Sequence, residues 1–120
     1  MTRRFTPESS LLSAVQEYLR LKRIWHMRMN VGAFKDASGR LVRFGRPGMA
    51  DVLVIRGTGY YELTWRGERT ANRLCTPLWL ELKSPTGRQT PAQKAFQAEV
   101  EAEGHLYLVV RDVEQLMKIV

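Results

Sequence analysis

The chain has 120 residues, 44% of them hydrophobic, with nineteen Lys and Arg against twelve Asp and Glu, a formal net charge of +7 and a pI of about 10.1. Those values describe a single globular domain and exclude a disordered or low-complexity chain. The single cysteine, Cys75, excludes an internal disulfide and a cysteine-cluster zinc site. No apolar stretch approaches the roughly 20 residues of a membrane span, and the start, Met1-Thr2-Arg3-Arg4-Phe5, lacks the apolar core of a signal peptide. An intracellular, cytoplasmic protein with no membrane partner is therefore expected. The cation excess points to a polyanion such as nucleic acid, although a solvated basic surface has the same composition.

Thr6-Pro7-Glu8 reads as a helix start, with Thr6 as N-cap and Pro7 in the first turn. Leu11, Leu12, Val15, Tyr18 and Leu19 follow at helical spacing and make one apolar face. Glu8 falls on that face and Glu17 on the opposite side, so Glu8 is the acid of this helix better placed to enter an internal site. Complementing the helix dipole is its alternative role. Ile24 to Val31 reads as a strand, with Trp25, Met27, Met29 and Val31 alternating against His26, Arg28 and Asn30. From Gly32 to Gly48 a hairpin or long ordered loop turns at Asp36-Ala37-Ser38-Gly39. Its cations, Lys35, Arg40, Arg43 and Arg46, could grip phosphates or simply be solvated.

Two apolar runs organise the rest. Gly48-Met49-Ala50-Asp51-Val52-Leu53-Val54-Ile55 and Leu78-Trp79-Leu80-Glu81-Leu82-Lys83-Ser84 both read as buried strands. Between them, Gly57-Thr58-Gly59 marks a turn and Tyr60 to Trp65 a strand returning antiparallel. Arg66 to Thr76 reads as irregular and mobile. Thr90-Pro91 starts a second helix that stops near Gly104, Leu106 to Val110 is a last buried strand, and Asp112 caps a short final helix. The whole is an α/β domain, a mixed central sheet flanked by helices.

Charges within a buried strand are normally paired, metal-bound or at an end facing a cleft. Alternation sets Glu81 and Lys83 on one face of their run. If the two runs pair with Asp51 and Glu81 at the same end, two carboxylates and a lysine would suit a hard divalent cation and an anionic substrate. A purely structural Glu81–Lys83 pair is the alternative. His26 and His105 are isolated and read as structural, and no phosphate-cradling glycine loop or nucleophile elbow is present.

The ordered set of residues resembles the VRR-NUC domain of the PD-(D/E)XK nuclease superfamily. The series comprises Glu8, Arg28-Met29-Asn30, Gly45-Arg46-Pro47-Gly48-Met49-Ala50-Asp51-Val52-Leu53, Glu81-Leu82-Lys83-Ser84-Pro85-Thr86-Gly87, Thr90-Pro91-Ala92-Gln93 and Gly104. The resemblance implies a single domain over residues 1–120 with a restriction-endonuclease-like core. It further implies a Mg²⁺- or Mn²⁺-dependent endonuclease acting on DNA. Asp51, Glu81 and the Leu82 carbonyl would be metal ligands, Lys83 the catalytic lysine, and Glu8 and Gln93 further site residues. Gln93 also fits a capping box with Thr90. Arg28, Asn30, Lys35, Arg40, Arg43 and Arg46 would contact DNA. The family's proline before the metal-binding aspartate is Ala50 here, and the interval from Asp51 to Glu81 is longer than the compact pattern. Stand-alone domains of this size resemble phage and bacterial members that act as homodimers on branched DNA, so a four-way (Holliday) junction is the expected substrate. A flap-selective nuclease, or a non-catalytic DNA-binding or assembly module on the same fold, is the alternative.

Overall fold

Local side-chain chemistry sets the helix boundaries. A computed structural model describes the backbone of residues 7–120 and all their side chains but those of Pro7, Glu8 and residues 58–61, 63–65 and 70–73. Helix α1 runs Pro7–Leu21; the expected cap Thr6 lies outside the described residues. Helix α2, Pro91–Ala102, starts at a reciprocal capping box. Thr90 Oγ1 accepts from the Gln93 N–H at 3.2 Å, and Gln93 Oε1 accepts from the Thr90 N–H at 2.8 Å. The helix ends in a Schellman arrangement: Gly104 takes a positive φ of 88° and donates to the Glu101 carbonyl, while His105 N–H reaches back to Val100. Helix α3, Val113–Met117, is capped by Asp112, which accepts from the Gln115 N–H at 2.8 Å.

The strands are β1 His26–Arg28, β2 Gly32–Lys35, β3 Leu41–Phe44, β4 Val52–Val54, β5 Gly57–Trp65, β6 Glu68–Cys75, β7 Leu78–Leu82 and β8 Leu106–Val110. Four of them form the central sheet in the order β1-β4-β7-β8. The first two pairings are antiparallel and β7–β8 is parallel, the latter joined through α2. The sheet is therefore mixed, and its two faces are covered by different helices. Leu80, Leu82, Val52, Val54 and Val110 point one way into a core with Leu11, Val15 and Leu19 of α1 and Leu116 of α3. Trp79 points the other way, its ring edge-on to Phe96 of α2 with centroids 5.0 Å apart. The fold is thus mixed α/β, a four-stranded sheet flanked by helices. Among the described residues no helix is long and apolar enough to cross a membrane.

Departures from the sequence reading concern β1, β4 and the segment between β4 and β7: of the run Gly48 to Ile55 only Val52–Val54 is strand, and Gly57-Thr58-Gly59, expected to be a turn, opens β5. The stretch 66–76, expected to be irregular, is mostly strand β6, and β5 pairs with it rather than with the sheet. Arg66 and Gly67 both take positive φ, 52° and 80°, which matches the two-residue hairpin loop whose twist suits the flanking strands. The long interval between Asp51 and Glu81 is therefore a β-ribbon. The first strand is also shorter than expected, because β4 offers only three residues to pair and the chain leaves the sheet after Met29, whose N–H still donates to Asp51 O at 2.8 Å.

Candidate active site

Register brings the two carboxylates together. Val52 pairs with Leu80 in the antiparallel β4–β7 ladder, so continuing that ladder by one residue sets Asp51 opposite Glu81. The Asp51 N–H donates to the Leu80 carbonyl at 3.0 Å. Asp51 Oδ2 accepts from the Leu82 N–H at 2.7 Å, fastening this carboxylate to β7 between Glu81 and Lys83. Glu81 of β7 and Lys83 just after it are both buried, 2% and 9% exposed, and Lys83 Nζ stands 4.0 Å from Glu81 Oε1. All three lie on the α2 side of the sheet, away from the aliphatic core.

Glu81 Oε1 accepts from Gln93 Nε2 at 2.9 Å, and Glu81 Oε2 accepts from the Tyr107 hydroxyl at 3.2 Å. Gln93 thus performs both roles left open by the sequence. Its carbonyl oxygen closes the capping box while its amide nitrogen reaches the site. The Glu81 carboxyl is pushed up to about 7 from 4.5, chiefly by burial and then by the neighbouring charge of Asp51. The Tyr107 hydrogen bond and the Lys83 charge act in the opposite direction. Tyr107 itself is pushed above the ordinary phenol range by burial and then by Glu81. A further polar link holds it, because Gln89 Nε2 donates to the Tyr107 hydroxyl at 3.2 Å and to Gln97 Oε1 at 3.0 Å.

A cleft of about 280 Å³ opens over Asp51, lined by Arg28, Met29, Asn30, Val31, Gly48, Met49 and Gln93. Its wall depends on a glycine. Gly48 has φ of 82° and sits so close to the first turn of α2 that a Cβ would collide with the Ala92 carbonyl. Ala50, which stands where the resembling family has proline, is fully buried. Beyond the site, Arg111 donates to the Ser84 and Gly87 carbonyls, both at 2.7 Å, and so pins the turn that follows Lys83.

The Glu8 side chain lies outside the described residues. Its backbone is in the first turn of α1. Lys35, Arg40 and Arg43 are exposed on the β2–β3 hairpin. Arg46 is instead engaged with α2: it is ion-paired to Glu99, and its guanidinium lies 5.5 Å over the Phe96 ring. Both histidines make structural contacts, His26 Nδ1 with the Ile24 carbonyl at 2.8 Å and His105 Nδ1 with Trp79 Nε1 at 3.0 Å. Tyr107 and Arg111 were not singled out from the sequence. The one available signal was parity, since Tyr107 shares with Trp79 and Glu81 the face turned toward α2.

Comparison with protein-family models, with curated proteins and with solved structures returned no match to any of them. The chemistry of the site therefore rests on the residues themselves. The donor set is oxygen only. Among the described residues no group of three or more His, Cys, Asp or Glu comes together, which leaves Asp51 and Glu81 as a pair. One or two carboxylates completed by water and substrate oxygen is the arrangement Mg²⁺ favours. A cation between them would also offset the mutual repulsion that raises Glu81, so the residues fit such an ion.

Proposed function

We propose that the chain is a Mg²⁺- or Mn²⁺-dependent DNA endonuclease of the VRR-NUC type, built on a restriction-endonuclease-like core. The observation that carries this reading is the Asp51–Glu81–Lys83 group, with Glu81 and Lys83 buried and Asp51 opening onto a cleft lined by Arg28 and Asn30. Asp51, Glu81 and the Leu82 carbonyl would hold the ion, which supplies, when bound, Lewis acidity toward a phosphate oxygen and toward water. The Leu82 N–H fixes Asp51, while Gln93 and Tyr107 fix the orientation of Glu81. The Lys83 ammonium provides positive charge where negative charge develops in the transition state. Glu8 would approach from the first turn of α1. Arg28, Asn30, Lys35, Arg40 and Arg43 would position the DNA backbone without reading sequence, since no base-reading motif is present.

Each chain contributes one such site, and we favour a homodimer that nicks opposing strands of a four-way junction, because two-fold symmetry matches that substrate. The test is incubation of the protein with labelled junction, flap and linear duplex, with metal and with excess EDTA. Metal-dependent cleavage, abolished by Asp51→Ala while binding persists, is the expected result. Robust cleavage in EDTA, or none on any DNA with any metal, would overturn the nuclease reading. DNA binding that Asp51→Ala leaves intact, with no cleavage by the wild type, would identify a non-catalytic module instead.

A further inference from the structure

The β2–β3 hairpin belongs to no larger sheet, yet it is rooted beside the cleft. Asn30 and Val31, which lead into β2, line that cleft. Gly45, which leaves β3, packs so closely on the Asn30 carbonyl that no side chain fits there. Pairing sets Gly32 opposite Phe44 and Phe34 opposite Val42, and sets Ala33 opposite Arg43 and Lys35 opposite Leu41. The ribbon therefore has two unlike faces. One carries Phe34 and Phe44, which are 53% and 45% exposed, their ring centroids 6.3 Å apart and their planes tilted by 41°. The other carries Lys35 and Arg43, for which no ion pair exists among the described residues.

As a diagonal cross-strand pair the two phenylalanines stabilise the hairpin only modestly, yet both leave about half their surface in solvent, which calls for a further explanation. Gly32 shows how the face is shaped. Its missing side chain leaves room for the Phe44 ring, since a Cβ at that position would stand 2.5 Å from Phe44 Cζ. The ring therefore lies across the ribbon with its outer surface free. An apolar aromatic surface, on a ribbon whose other face carries unpaired cations and whose root lines a cleft opening on Asp51, matches one partner chemistry. That chemistry is a polyanion with flat, unstacked faces, namely unpaired nucleotides.

We propose that Phe34 and Phe44 form a stacking platform for unpaired bases, holding a single-stranded segment of DNA beside the cleft. Lys35 and Arg43, on the opposite face, add positive potential around the ribbon. The inference rests on the DNA-directed reading of the site and adds a substrate feature to it: DNA that is single-stranded or splayed next to the reacting phosphate. Fully paired duplex hides its base faces and gains nothing from the platform.

The experiment compares wild type with Phe34→Ala/Phe44→Ala and with Phe34→Leu/Phe44→Leu, all in EDTA so that no DNA is cut. The probes are a labelled 20-nucleotide single strand containing 2-aminopurine and a blunt duplex of the same sequence. The alanine pair is expected to weaken single-strand binding about tenfold or more and to abolish quenching of the 2-aminopurine. Duplex affinity should change less than twofold. The leucine pair, which keeps the apolar bulk and tests folding, should lose the quenching as well. Equal losses on both probes, unchanged single-strand binding, or full quenching by the leucine pair would overturn the proposal. So would sedimentation showing that the substitutions convert a dimer to a monomer, since the face would then be a contact between copies. A wild type that binds neither probe removes the platform and the DNA-directed reading together. A wild type that stacks single strands through these rings but cleaves nothing leaves the platform standing and removes only the nuclease.

Discussion

Replacing Glu81 by glutamine should stabilise the metal-free protein at alkaline pH. In the fold this carboxyl titrates near 7 instead of 4.5, mainly because it is buried and secondly because Asp51 is beside it. Its folded pKa thus lies above its unfolded one, so folding takes up a proton between those two values. Stability from this group falls as the pH rises from 4.5 through 7, and the full penalty applies above 7. At about 1.4 kcal/mol per pH unit, the rise from 4.5 to about 7 corresponds to about 3 kcal/mol. Glutamine keeps the shape, still accepts from Gln93, and carries no charge to desolvate; the Tyr107 hydroxyl can reverse its role and accept. Urea unfolding of wild type and Glu81→Gln, both in EDTA, should therefore diverge at pH 8 and converge near pH 4.5. With a urea slope of about 1–3 kcal/mol per molar, the pH 8 midpoints should differ by about 1 M or more, the variant being the more stable. Excess Mg²⁺ should raise the wild-type midpoint at pH 8 more than that of the variant. If the two proteins share one pH profile, or the variant is the weaker at pH 8, the electrostatic reasoning about this site is wrong.

Two other outcomes bear on the proposed chemistry. Lys83→Ala should lower single-turnover cleavage by a hundredfold or more, equivalent to a loss of about 3 kcal/mol of transition-state stabilisation, while DNA affinity measured in EDTA stays within a few fold. A similar loss of rate and affinity would make Lys83 a binding residue. Among the hairpin cations, alanine at Lys35, Arg40 and Arg43 together should reduce the salt slope of DNA binding by about one for each genuine phosphate contact. Arg46→Ala should change that slope less, because Arg46 already pairs with Glu99, and titrations in graded KCl would distinguish them.

What the sequence disclosed follows a physical division. Elements fixed by neighbouring residues were legible: Thr90 and Asp112 cap α2 and α3 with their own side chains, and Gly104 ends α2 in the left-handed conformation. Strands with long apolar runs, β7 and β8, were legible too, although β8 lies at the sheet edge and only Val110 of it is buried. The ribbon β5–β6 was not, because β6 reads Glu-Arg-Thr-Ala-Asn-Arg-Leu-Cys and has no apolar run to announce a strand. Its marker was the loop, and Arg66-Gly67 is a weaker hairpin signal than Asn-Gly. At the site, the types and spacing of Asp51, Glu81 and Lys83 could be read directly, but their meeting depends on the β4–β7 register, which is non-local. Tyr107 was hidden inside an apolar run, where nothing local marks a hydroxyl that reaches across to Glu81.

The contrast between two carboxylates separates structural use from the use proposed here. Asp36 sits at the β2–β3 turn, where its Oδ1 accepts from the Ser38 N–H, the Ser38 hydroxyl and the Arg40 N–H at 2.7–2.9 Å. Those donors hold it below the ordinary carboxylate range. Its charge is satisfied by the turn it stabilises, and nothing more is needed to explain it. Glu81 is in the opposite condition. Trp79, Phe96 and Tyr107 form an aromatic layer between sheet and α2, with centroids 5.0 and 6.4 Å apart, and exclude water around it. Among the described residues only Gln93 and Tyr107 donate to it, and a second carboxylate adjoins it. A neutral side chain would serve stability better at this position. A group kept where its charge is poorly satisfied, beside the carboxylate that lines the cleft, fits the proposed role of holding a cation from outside the chain. Gln93 strengthens that conclusion, since the capping box holds its side chain at the start of α2. The same bond that begins the helix aims an amide at Glu81, so the carboxylate is oriented before any partner arrives.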